Sequence, residues 1–145
     1  MKITEEEQTK LRSQAKKELE RLEKIISDEE TTELLDRYKN KFNLCESVYK
    51  VVLREHQMKT KGEVPIHLKI TMTQVPYAMI FAGYDIDKEL LNRLFGAKCN
   101  EGQTAKKLRD AVTHGLDQKA INEIKIRQNQ LFNDMDLFLK IIKAA

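Results

Sequence analysis

Arg109, Asp110 and His114 place a permanent cation, a carboxylate and an imidazole on one short predicted helix, within Lys107-Leu108-Arg109-Asp110-Ala111-Val112-Thr113-His114-Gly115. With Leu108 at the centre of the apolar stripe, Ala105, Ala111, Val112 and Gly115 share its side, which leaves Arg109, Asp110, Thr113 and His114 on the polar side. The five-residue separation of Arg109 and His114 sets them about 140° apart around a helix and about 7.5 Å apart along it, so one helix does not make them converge. Asp110 and His114 stand at i and i+4, where a carboxylate can orient an imidazole. A guanidinium, an oriented imidazole and the nearby Lys106 and Lys107 suit a phosphodiester, and two such faces meeting across a symmetry axis would suit it better. The candidate site on these residues is Arg109, Asp110 and His114, with Lys106, Lys107 and Thr113 beside them.

The elements that must position this segment are helical. The chain has 145 residues, 41% hydrophobic and 34% charged, with 5 Gly, 2 Pro and no Trp, which fits one domain, residues 1–145, with a core of Leu, Ile and Val. A net charge of +3 is too small to mark a nucleic-acid coat, so any nucleic-acid site must be a local patch. Cys45 and Cys99 have no CxxC or Cys/His cluster, which leaves no expectation of a metal, a cofactor or a disulfide framework, and free thiols suit the cytoplasm. The acidic start Thr4-Glu5-Glu6-Glu7 is unlike a signal peptide, and no apolar run reaches membrane-spanning length, so no membrane partner is expected.

Thr4 to Glu7 reads as a capping box ahead of Leu11, Ala15, Leu19, Leu22 and Ile26, giving a helix over residues 4–27. Ser27 to Glu30 repeats that pattern before a second stripe of Leu34, Leu35, Tyr38, Phe42, Cys45, Val48, Tyr49 and Val52, ending near Lys59, with Gly62 and Pro65 as breakers. Residues 66–72 alternate as a strand would, but no second strand candidate exists, so an extended segment or a helix is expected there. Val75 to Ala82 suggests a short buried helix stopped by Gly83. Asp85 or Asp87 caps another that carries Leu90, Leu91, Leu94 and Phe95. Thr104 caps the helix bearing Arg109, Gly115 ends it, and Asp117 starts a last helix with Ile121, Ile124, Leu131, Met135, Phe138 and Ile142 inward.

Arg109, the Asp110 after it, three residues and then His114, ahead of a final long helix in a small helical chain, resembles the HEPN superfamily. The resemblance implies an all-α bundle of four to six helices that forms a homodimer with two motifs facing one cleft. Its commonest implied activity is metal-independent endoribonuclease cleavage, in toxin–antitoxin or phage-defence settings. In the catalytic site it implies, the RNA 2′-hydroxyl would attack phosphorus, His114 would move a proton, Arg109 would stabilise phosphoryl charge and Asp110 would orient one of them, with RNA contacts from Lys106, Lys107 and Thr113. It also implies a separate nucleotidyltransferase-type antitoxin chain as a partner. The alternative is a non-catalytic HEPN-like module that binds a nucleotide or another protein.

Other chemistry-bearing residues read as structural. His56 and His67 lack metal-ligand spacing and are expected at the surface. Cys45 lies on an apolar stripe as a packed thiol, and Cys99 in a polar loop is expected exposed. Lys10, Arg12, Lys16, Lys17, Arg21 and Lys24 alternate with Glu18, Glu20 and Glu23, the pattern of a solvated helix face. The apolar cluster from Tyr77 to Ala82 reads as core.

Overall fold

A computed structural model of the chain describes residues 3–61, 78–80 and 82–145. It is an all-α bundle. The described helices are α1 (Glu5–Ser27), α2 (Glu29–Lys61), α3 (Lys88–Phe95), α4 (Ala105–Thr113) and α5 (Gln118–Ala144). The expected extended stretch at 66–72, the breakers Gly62 and Pro65, His67 and the start of the helix expected from Val75 lie outside the described residues. Among the described residues no helix is long and apolar enough to cross a membrane.

The chain divides into two compact units, Met1–Asp36 and Arg37–Ala145. In the first, Thr4 caps α1 by accepting from the Glu7 amide at 3.1 Å, as the sequence suggests. The second cap falls one residue later than expected. Asp28, not Ser27, accepts from the Thr31 amide at 3.2 Å and from the Thr31 hydroxyl at 2.9 Å. Ser27 turns back to the Lys24 carbonyl at 2.8 Å. A carboxylate accepts from both groups at once, and its charge complements the positive end of a helix, so Asp28 takes the cap. Helix α1 buries none of its residues, and its stripe residues Leu11, Leu19 and Ile26 are 52%, 55% and 58% exposed.

In the second unit, Tyr38, Phe42, Cys45, Tyr49 and Leu53 recur at helical spacing on α2 and are fully buried. Leu53 joins the stripe that the sequence suggests, while Val48 and Val52 are only half-buried. Leu90, Leu91, Leu94 and Phe95 of α3, Leu108 and Val112 of α4, and Ile121, Ile124, Leu131, Met135 and Phe138 of α5 complete the core. Phe95 is its aromatic hub: it stacks on Tyr49 at 4.6 Å and meets Phe42 at 5.8 Å and Phe138 at 5.4 Å.

Polar contacts then fix α4 in this frame. Thr104, itself buried, caps it through the Lys107 amide at 3.4 Å, and the buried Tyr38 hydroxyl donates to the Ala105 carbonyl at 2.7 Å. Along α5, Glu123, Arg127, Gln130 and Asp134 follow one face at three- and four-residue steps. Arg127 donates to Glu123, to Gln130 at 3.0 Å and to the Gln103 carbonyl at 2.8 Å. Gln130 donates to Asp134 at 2.6 Å, and Arg93 of α3 closes the chain with a two-point bond to Asp134 at 2.9 and 3.1 Å. This ladder ties α3 and the loop before α4 to α5.

Two turns set the helix ends. Gly83 (φ +85°) ends the turn at Ala78–Ile80, with Tyr84 donating to the Met79 carbonyl and Gly83 to that of Ile80, the paired bonds of a Schellman motif. At the end of α4 the left-handed residue is Leu116 (φ +48°), not the Gly115 that the sequence suggests as the stop. Holding a Leu there costs about 1 kcal/mol, and the turn has Asp117 donate to the Ala111 carbonyl at 3.4 Å while it caps α5.

Candidate functional site

Arg109 projects from α4 against α2, 14% exposed at its side chain, with the guanidinium 4.7 Å from the Phe42 ring centroid. Its Nη1 donates to Asn43 Oδ1 at 2.5 Å and to Glu46 Oε1 at 3.2 Å, and its Nη2 donates to Glu46 Oε2 at 3.0 Å. The planar fork therefore grips one carboxylate at two points while its face lies on an aromatic ring, a combination an ammonium group could not make. Its Nε donates to Asp110 Oδ1 at 2.8 Å. Burial works against the Arg109 charge, but the bonds to Glu46 and Asp110 more than offset it and hold its pKa above the ordinary guanidinium value.

Asp110 is committed in the same way. Its second oxygen accepts from Lys106 at 3.0 Å. Burial pushes its pKa up, and Lys106 and Arg109 outweigh that and hold the carboxyl below the ordinary aspartate value. On the far side of Arg109, Lys50 stands 3.5 Å from Glu46. The result is a run of alternating charge, Lys50, Glu46, Arg109, Asp110 and Lys106, crossing from α2 to α4.

His114 stands apart from this run. It is the C-cap residue of α4 (φ −92°, ψ 1°), is exposed, and its backbone N–H donates to the Asp110 carbonyl at 3.0 Å. The expected side-chain pairing of Asp110 with His114 is not formed: among the described residues the Asp110 carboxylate is taken by Lys106 and Arg109. His114 keeps the i, i+4 backbone bond to Asp110, but the carboxylate itself is held by Lys106 at the i−4 position and by the adjacent Arg109. Lys107 and Thr113 are exposed and Lys106 is half-buried.

The structure thus brings together Arg109, Asp110 and Lys106 of the sequence-predicted residues and adds Asn43 and Glu46, which the motif does not reveal. Their signal is present in the sequence as polar residues beside a buried stripe: Asn43, Glu46 and Lys50 sit at three- and four-residue steps next to Phe42 and Tyr49. A cavity of about 130 Å³ lies elsewhere on α4, against Leu108 and Ala111, and is completed by Gln103, Asp117, Lys119, Ala120 and Glu123. Neither Arg109 nor His114 lines it. Among the described residues no group of His, Cys, Asp and Glu could hold a metal ion.

Chemically, the run can lock two helices together. For Arg109 to meet a phosphoryl oxygen, the anion would have to displace Glu46 or Asp110 from it, or approach beside both carboxylates. Comparison of the chain with family models, with curated proteins and with solved structures returns no match.

Proposed function

We propose that this chain is a non-catalytic helical interaction module of HEPN-like pattern, in which the Arg109 motif serves the fold. The observation that carries this reading is the engagement of Arg109: two carboxylates and one amide of its own chain take four hydrogen bonds from a guanidinium that also lies over an aromatic ring, and a ribonuclease would need that side chain for phosphate. The exposed apolar stripe of α1 supports the protein-binding form of the module, because such a stripe gains from being covered.

The ribonuclease reading keeps one specific support, the exposure of Thr113 and His114 at the C-terminal end of α4 and of Lys107 in its first turn. In that reading a homodimer would bring Arg109, Asp110 and His114 of two copies to one RNA phosphate, and a nucleotidyltransferase-type chain would restrain it. One experiment separates the two. Purified protein is incubated with single-stranded RNA in chelator beside Arg109→Ala and His114→Ala. The interaction module gives no cleavage above that of the variants. Cleavage by the wild type that both substitutions abolish, with helicity retained, overturns it.

A further inference from the structure

Helix α1 carries its apolar residues in nearly palindromic order. Leu11, Ala15, Leu19, Leu22 and Ile26 fall within a narrow stripe when residues are set about 100° apart, and Leu11 and Ile26, like Ala15 and Leu22, lie at equal distances from a midpoint beside Leu19. A stripe with that symmetry matches itself when the helix is reversed. We infer that α1 is the docking surface for a second copy of this chain, with two α1 helices packed antiparallel. Leu19 then meets the second copy's Leu19 at the two-fold axis, Ala15 meets its Leu22 and Leu11 meets its Ile26. Every layer is apolar, and the small Ala15 faces a large Leu.

The charges beside the stripe choose this arrangement over its rivals. Arg12, Lys16 and Glu23 border one edge of the stripe, and Glu18 and Arg21 border the other. In an antiparallel pair each edge meets the same edge of the other copy. Arg12 and Lys16 therefore come level with the second copy's Glu23, and Glu18 comes level with its Arg21. Glu18 already pairs with Arg21 of its own helix at 2.6 Å, so the two copies build a four-charge cluster with no net charge. A parallel pair instead meets opposite edges and sets Glu18 beside Glu23. An antiparallel pair centred on Ala15 sets Arg12 beside Lys16 and leaves Leu22 and Ile26 facing Gln8 and Thr4. The first arrangement covers the whole stripe and matches Arg12 and Lys16 with Glu23; it also brings the two Glu18 side chains near the axis, each held by an Arg21, whereas the pair centred on Ala15 leaves part of the stripe uncovered and the parallel pair gives up the match with Glu23.

The inference rests on the protein-binding reading above and names its partner. Its test is the mass of the full chain across concentration by sedimentation equilibrium, for wild type, Leu19→Glu, Glu23→Lys, and Glu23→Lys combined with Arg12→Glu and Lys16→Glu. The wild type is expected to dimerise. Leu19→Glu places two carboxylates at the axis and is expected to weaken the dimer by about tenfold or more, and Glu23→Lys to weaken it by a similar factor. The triple charge swap is expected to restore it. Because these positions are exposed in one copy, circular dichroism should show the fold of each variant unchanged. A wild type that stays monomeric overturns the inference, whether α1 then covers its own chain or a foreign helix. So does a dimer indifferent to Leu19→Glu and Glu23→Lys, or one that the charge swap does not rescue. A monomer without RNA cleavage overturns the self-pairing alone, whereas an RNA-cleaving dimer that fails in the α1 variants overturns the non-catalytic reading alone.

Discussion

Arg109→Ala tests whether the α4 motif is structural. Both Arg109 and Glu46 are largely buried, at 14% and 13% side-chain exposure, so removing the guanidinium leaves a desolvated carboxylate short of its main partner. Breaking such a pair costs about 3–5 kcal/mol. Lys50 at 3.5 Å returns part of that, while loss of the cation over Phe42 adds about 0.5–2 kcal/mol. The two corrections roughly cancel, and a loss of about 3–5 kcal/mol is expected. Replacing both partners with apolar residues of similar size, Arg109→Met with Glu46→Leu, removes the stranded charge and is expected to recover most of that loss. Urea unfolding followed by circular dichroism reads both effects as midpoint shifts. The reasoning fails if Arg109→Ala costs less than about 0.5 kcal/mol, the range of a solvated surface pair, or if the two single changes simply add in the double variant. Arg109 would then be free enough to serve a ligand.

Three further outcomes follow from the same contacts. Cys45 is buried and its thiol is pushed up to about 12 by that burial, so a thiol reagent at neutral pH should label the half-buried Cys99 well before Cys45, and Cys45 only on unfolding. The Asp110 carboxyl is held below its ordinary value, so its contribution to stability is complete above an unfolded value of about 3.9 and disappears as pH falls through the lower folded value. A pH series of urea midpoints should therefore show wild type above Asp110→Asn at neutral pH and the gap closing in acid. Gly102 has φ +134°, and an added Cβ would stand 2.9 Å from both Arg127 Nη1 and Glu123 Oε2. Gly102→Ala should lower thermal stability by about 1–3 kcal/mol, measured by calorimetry.

The helices and most of their caps were legible because they depend on neighbours in the chain. Thr4, Asp87, Thr104 and Asp117 each cap the helix that local spacing suggests. The misses share a cause. Gly115 against Leu116 and Ser27 against Asp28 were decided by how one turn passes into the next element, which a search for single cap residues does not weigh. In the motif, periodicity correctly put Arg109 and Asp110 off the apolar stripe of α4, but off the stripe of one helix is not the same as in solvent. Asn43 and Glu46 are distant in sequence, and only packing of α2 against α4 brings them to Arg109.

That distinction bears on how such a motif can be read for chemistry. An Arg and a His a few residues apart offer a phosphate two positive groups only if neither is already spent, and the cost of freeing the Arg is set by its partners rather than by its spacing. Here the partner is a carboxylate that has also lost most of its water. Any RNA phosphate that displaced Glu46 would have to leave that carboxylate buried with Lys50 alone for company, a penalty of the same size as the loss expected for Arg109→Ala. Glu46→Gln separates the possibilities, because it removes the competing charge while keeping an acceptor. If the motif binds RNA at all, this change should tighten salt-dependent binding. If the motif is structural, it should lower stability and leave RNA binding at the level of the wild type.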